Sequence, residues 1–189
     1  FARDVLQAIP DRPISFEVLS DDFEEMENQA LKLARWGENV YVKIPVTNTR
    51  GESSVKVVRN LAEAGVKVNV TAMTTLSQVQ EMSGEALSGG PPSYLSVFAG
   101  RIADTGRDPV PIMADAVEMC SVYPNIELIW ASPRELLNIF QADAIGCHII
   151  TVTNDILKKL SLVGKDLSEF SLDTVKMFFN DAVKAGYNL

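Results

Sequence analysis

The chain reads as an α/β protein built on a parallel sheet, a (β/α)8 barrel with six of its eight strands present, and three observations lead there. Apolar stretches starting near residues 14, 39, 67, 93, 126 and 144 alternate with helical patterns throughout, which is the βα alternation of a parallel sheet with helices outside it. Polar residues recur on one face of strand after strand, as Glu17, Lys43, Asn69, Thr71, Ser96 and Ser132. An open doubly wound sheet would keep most strands apolar on both faces and gather function at one switch point, whereas a barrel carrying a site at its C-terminal mouth accounts for the recurrence. Thirdly, no glycine-rich phosphate loop of the GxGxxG or Walker type occurs, which weakens a nucleotide-binding sheet.

Taken in order, the chain opens on the amphipathic helical pattern Phe1-Ala-Arg-Asp-Val-Leu-Gln-Ala-Ile9, without a methionine or a cap, as the middle of a fold would. After Pro10 and Pro13 a strand runs over Ile14–Leu19, with Ser15 and Glu17 on one face and Phe16 and Val18 on the other. Ser20-Asp-Asp starts a helix to about Trp36, striped by Phe23, Met26, Ala30 and Leu33 and closed by Gly37. The strand Asn39–Thr47 puts Val40, Val42 and Ile44 on one face and Tyr41 and Lys43 on the other, so an ammonium group points where core is expected. Burying it unpaired costs several kcal/mol, roughly, so such a lysine is paired, kept neutral or used as a nucleophile. A helix near Ser53 to Ala64 ends at Gly65. The strand Lys67–Met73 alternates Val68, Val70 and Ala72 with Asn69 and Thr71; a helix follows from about Thr75, broken by Gly89-Gly-Pro-Pro92.

The fourth strand covers Tyr94–Gly100 and ends in Arg101, with its return helix over Pro109–Ser121. The fifth covers Ile126–Ser132 and leads to a helix around Arg134–Phe140. A sixth, Ala144–Thr153, is capped by Asn154, and a final helix spans about Leu172–Lys184. All of 1–189 is expected to form one domain.

Composition narrows the function classes. With 25 acidic against 17 basic residues and net charge −8, the surface does not suit nucleic acid or an anionic membrane. No apolar run reaches the roughly 18 residues of a membrane span, and a cytoplasmic protein is expected. Cys120 and Cys147 lack metal-ligand spacing and His148 is the only histidine, which argues against a metal centre and against a histidine triad.

The inward-facing set instead offers an amine nucleophile (Lys43), a carboxylate and hydroxyl able to hold a water (Glu17, Thr71), and donors for sugar hydroxyls (Asn69, Ser96). Arg101, Ser132 and Arg134 at strand ends can bind a dianion by charge-assisted bonds. An amine beside an acid/base pair and an anion clamp suits Schiff-base chemistry on a phosphorylated ketose. Each residue has a plainer alternative: Glu17 merely neutralising Lys43, Asn69 and Thr71 satisfying each other, the arginines in surface salt bridges of little weight.

These residues resemble the transaldolases and the fructose-6-phosphate aldolases. Tyr41-Val-Lys-Ile-Pro-Val-Thr47 resembles the family's Schiff-base strand, Ser15-Phe-Glu-Val18 the strand whose glutamate binds the catalytic water, and Val68-Asn-Val-Thr-Ala72 with Gln78 the Asn-x-Thr strand. Ser96-Val-Phe-Ala-Gly-Arg-Ile-Ala-Asp104 and Ala131-Ser-Pro-Arg134 resemble the serine-bearing and phosphate-binding segments. The likeness implies transfer of a three-carbon dihydroxyacetone unit from a ketose phosphate to an aldose phosphate through Lys43, sugar phosphates as small-molecule partners, no metal or organic cofactor, and a homo-oligomer. It assigns Glu17 and Thr71 to the catalytic water, Asn69 and Ser96 to donor hydroxyls, and Arg101, Ser132 and Arg134 to the phosphate. Phe98 falls at a position that is typically phenylalanine in transaldolases and tyrosine in the aldolases. The family's first strand, with a catalytic aspartate, and its Thr-Asn-Pro-Ser segment have no counterpart here, and two further βα units before Phe1 are expected. The alternatives are a fructose-6-phosphate-type aldolase and an inactive sugar-phosphate-binding barrel.

Overall fold

A computed structural model of the protein describes residues 1–187, and within it six parallel strands stand side by side in chain order. The chain divides into two compact units, Phe1–Val152 and Thr153–Leu189, and all six strands belong to the first. That unit opens with helix α1 (Ala2–Ala8) and strand β1 (Ile14–Glu17). Helix α2 (Phe23–Ala34) is capped by Asp22, whose carboxylate accepts from the Glu25 N–H at 3.0 Å, and glutamates in its first turn and Lys32 in its last suit the helix dipole. Strand β2 (Val40–Pro45), helix α3 (Val55–Glu63) and strand β3 (Val68–Met73) follow. Helix α4 (Leu76–Gln80) starts with a capping box between Thr75 and Gln78 and runs on into a π-helical stretch, Glu81–Ala86. Then come β4 (Ser93–Val97), a short α5 (Ala99–Ala103), and α6 (Pro109–Ser121), capped by Asp108 with Pro109 in its first turn. Strand β5 (Ile126–Trp130), helix α7 (Leu137–Ala144) and strand β6 (Ile149–Ile150) complete the unit.

Period-2 alternation sorts the two faces of the sheet. Val40, Val42, Ile44, Val68, Val70, Leu95, Leu128 and Trp130 join the core that the helices complete with Met26, Ala30, Val58, Leu61 and Met113. The opposite face carries a smaller apolar group, Tyr41, Tyr94, Ile129 and Ala131, together with the polar residues. The sheet is a curled half-barrel, concave on that second face. Neighbouring strands lie about 4.8 Å apart, so β1 and β3 in a flat sheet would be separated by roughly 10 Å. Yet Asn69 Nδ2 of β3 reaches Ser15 Oγ of β1 at 3.0 Å, across β2, which two short side chains can do only where the sheet curls towards them.

Several expectations need correction. The fourth strand stops at Val97 and the chain turns at once into α5, so Arg101 sits on a helix and not at a strand end. Of the strand expected over Ala144–Thr153 only Ile149–Ile150 forms; Ala144 closes α7, Gly146 takes a left-handed φ of 70°, and the Cys147 N–H bonds back to the Ala142 carbonyl at 2.9 Å. Ala72 does not face the core. It is exposed with φ 65°, at the point where the β3–β4 register shifts, so Met73 takes the core position after it.

The second unit consists of α8 (Asn154–Lys158), a 3-10 turn at Lys159–Leu162 and α9 (Leu167–Ala185). Thr153 holds the cap position of α8, with Asn154 its first helical residue. The last helix begins five residues before its expected start because the Asp166 carboxylate caps it, accepting from Ser168 and Glu169, and Gly186 ends it in the left-handed region. Phe170, Met177, Phe178 and Phe179 of α9 are exposed. No helix among the described residues is long and apolar enough to cross a membrane.

Candidate active site

The concave face encloses a cavity of about 510 Å³ whose walls include Lys43, Asn69, Thr71, Ser96, Phe98 and Ser132. Its volume lies within the range of small-molecule sites. Each residue arrives there by strand parity: the register pairs Glu17 with Lys43 and Lys43 with Asn69 on adjacent strands, and Thr71 follows Asn69 by two. Lys43 is about 29% exposed and its Nζ stands 3.7 Å from Glu17 Oε2, an ion pair too long for a direct hydrogen bond. Glu17 does not itself line the cavity.

Asn69 and Thr71 do not satisfy each other. Asn69 donates to Ser15 at 3.0 Å and accepts from Ser96 Oγ at 2.8 Å, while Thr71 Oγ1, fully buried, has no partner among the described residues. A buried hydroxyl without a partner on a cavity wall is a prepared contact for a water or a ligand hydroxyl. Below these groups Tyr41 and Tyr94 stack with ring centroids 4.1 Å apart, and burial, with the neighbouring Tyr41 second, pushes the Tyr94 phenol upward from its usual range.

Two backbone features shape the mouth. Ser132, two residues past the end of β5, is held at φ 57°, a left-handed conformation costing a non-glycine residue on the order of 1 kcal/mol or more. Gly100 of α5 abuts it so closely that a Cβ there would meet the Ser132 carbonyl oxygen at 1.5 Å. The approach of α5 to the end of β5 therefore requires glycine.

The arginines do not share the Lys43 cavity. Arg101 lies with its guanidinium 5.6 Å from the centre of the ring of Phe98, a cavity-lining residue, but does not itself line that cavity. Arg134 precedes α7, its backbone N–H donating to Asn138 Oδ1, and its guanidinium pairs with Asp104 of the turn after α5 at 2.6 Å. That hydrogen bond holds the Asp104 carboxyl below the usual carboxylate range, with Arg101 contributing more weakly, and raises Arg134. Arg134 borders a separate cavity of about 190 Å³, backed by Trp130, which is wholly buried with its indole N–H unpartnered among the described residues.

Other residues, to which the sequence reading gives no role, also take part. Ser15, Tyr94 and Thr151 line the cavity and Asp104 holds Arg134. Ser15 precedes Glu17 by two and Tyr94 precedes Ser96 by two, so period 2 alone puts both on the inner face. Gln78, in contrast, serves the α4 cap, accepting from the backbone N–H groups of Thr74 and Thr75. His148 Nδ1 accepts from the Leu128 N–H at 3.1 Å, and Cys120 and Cys147 belong to the core as free thiols.

The sequence matches the family described as Transaldolase/Fructose-6-phosphate aldolase over residues 1–189. The chain belongs to this family. Among curated relatives it is 35% identical to a probable transaldolase of a Thermoanaerobacter species over 182 residues, covering 96% of this chain and 78% of that one. Probable transaldolases of Methanococcus maripaludis and Streptococcus equi subsp. zooepidemicus are 35% and 36% identical, each over 81% of this chain and over 67% and 68% of their own lengths. In fold alone, the chain resembles a mandelate oxidase mutant carrying a monooxide FMN adduct, with a TM-score of 0.56 at 12% identity, over 79% of this chain and 50% of that one.

Proposed function

We propose that the chain is a transaldolase-type, class I transferase, and that Lys43 is its Schiff-base lysine. The observation that carries this reading is that Lys43 is the one lysine among the described residues lining the Asn69, Thr71 and Ser96 cavity. The amine of Lys43, once deprotonated, attacks the C2 carbonyl of a ketose phosphate, and loss of water gives an imine. In its protonated form the imine draws electrons as the C3–C4 bond breaks, so an aldehyde leaves and a three-carbon enamine remains on the nitrogen. The enamine carbon then bonds to the aldehyde carbon of an aldose phosphate, and hydrolysis of the new imine frees product and lysine.

In this reading a water between Glu17 and Thr71 moves the protons, and Asn69 and Ser96 hold donor hydroxyls. Ser132, Arg101 and Arg134 receive the phosphate, for which Arg134 exchanges Asp104 for substrate oxygens. The half-barrel is part of an eight-stranded (β/α)8 barrel, its edges β1 and β6 available to two further strands, and 1–189 is one domain of it. The protein works in the cytoplasm as a homo-oligomer in carbohydrate metabolism.

Borohydride reduction of the chain in the presence of fructose 6-phosphate tests the mechanism. A three-carbon adduct is expected on the peptide that contains Lys43. Labelling of another lysine, or of none, overturns the assignment.

A further inference from the structure

Asn69 is held at both ends of its side-chain amide. Nδ2 donates to Ser15 Oγ of β1 at 3.0 Å, and Oδ1 accepts from Ser96 Oγ of β4 at 2.8 Å. An amide offers two N–H donors and two acceptor sites, so one of each remains for the cavity. The terminal torsion of asparagine is broad and two-fold, and a single hydrogen bond leaves the amide plane free to swing. A second bond from the far side fixes that plane. Strand register puts Ser15 level with Tyr41 and Asn69 level with Lys43, so the Ser15 bond crosses β2 on the cavity face, alongside the Lys43 side chain. Ser15, Asn69, Ser96 and Lys43 all line the one cavity.

We propose that Ser15 is a positioning residue for this site: it fixes the plane of the Asn69 amide so that its remaining N–H and lone pair face the hydroxyl of a ketose bound at Lys43. The inference rests on the Schiff-base reading of Lys43. Ser15 acts through Asn69, and the plainer role, a tie between the edge strand and β3, makes different predictions.

The test is a double-mutant cycle in the full chain with S15A, N69A and their combination, plus S15T as the conservative variant. Ketose kcat/KM, aldose KM, melting temperature and borohydride trapping at Lys43 are measured for each. S15A is expected to lower kcat/KM for the ketose about ten-fold, the worth of one well-placed hydrogen bond, while KM for the aldose acceptor stays within about two-fold. The combined variant is expected to be no worse than N69A alone, and S15T to recover most of the loss. Losses that multiply in the combined variant, or that follow melting temperature without rescue by S15T, overturn the inference while leaving Lys43 in place. Failure of the unaltered chain to trap a ketose on Lys43 overturns the Schiff-base reading and this inference with it.

Discussion

Phe98 presents a ring to the cavity and has no proton to offer, and its backbone N–H is spent on the Met73 carbonyl at 2.8 Å. On the proposed path this matters after bond cleavage, when an enamine must wait for an acceptor without being protonated. A dry aromatic wall favours waiting, and a phenol at the same place would supply the proton. Little free dihydroxyacetone is therefore expected from fructose 6-phosphate alone, with turnover once erythrose 4-phosphate is added, and F98Y should raise cleavage relative to transfer. Rapid release of dihydroxyacetone by the unaltered chain would replace the transferase reading with the aldolase one. Arg101 is tied to the same ring at 5.6 Å, so F98Y also tests whether the guanidinium keeps its place. The two cysteines stand outside this chemistry: burial raises both thiols, Cys120 to about 12, which leaves little thiolate to react at neutral pH.

At the scale of elements, the mouth depends on how closely α5 meets the end of β5. Gly100 donates its backbone N–H to the Ala131 carbonyl at 3.3 Å, and nothing larger than hydrogen fits between it and the Ser132 carbonyl. The obstructing atoms are backbone, so relief requires moving α5 or Ser132 out of its left-handed conformation. G100A should cost about 3 kcal/mol in a denaturant titration, at the upper end for overpacking, and, on the proposed phosphate-binding role of Ser132 and the α5 residue Arg101, weaken phosphorylated sugars more than unphosphorylated ones. Wild-type stability in G100A would show that the two elements can separate freely. A second element-scale feature is the register shift at Ala72, which ends the β3 inner face at Thr71 and leaves that hydroxyl as the last polar group of its strand.

For the whole molecule, pH sensitivity follows from a few carboxylates. Hydrogen bonds from Thr49 lower Asp21, Arg50 and then Asn48 lower Glu52, and Arg134 lowers Asp104. Each binds its proton less readily folded than unfolded, so its contribution is present above the ordinary carboxylate pKa of roughly 4 and is lost as pH falls through the lower folded values. All three are exposed, so the effect should shrink in high salt. Tyr94 contributes on the alkaline side: burial raises its phenol in the folded chain, so its share of stability is lost as pH rises past roughly 10, where the unfolded phenol ionises. Urea midpoints measured from pH 3 to 11 should be highest in the middle and fall at both ends, the acid side more gently in 1 M salt. A midpoint unchanged between pH 7 and pH 3 would remove these pairs from the account.

Much of this architecture is legible before any coordinates, because it is local. Strand parity depends on a two-residue period, so Lys43, Asn69, Thr71 and Ser96 are placed on one inner face by counting alone, and βα alternation orders six parallel strands. Caps at Asp22, Thr75 and Asp108 are likewise short-range. Strand ends are not local. Apolar runs continue beyond Val97 and begin before Ile149, and contacts from elsewhere in the chain decide where pairing stops. Arg134 illustrates the limit: its nearest charged partner, Asp104, lies 30 residues away in sequence. The Ser15–Asn69 bond spans 54 residues and a whole intervening strand, and it exists because the sheet curls, a property of six strands together. The sequence by itself determined which residues face inward; the tertiary structure decided which of them meet, since reach across a sheet depends on its curvature.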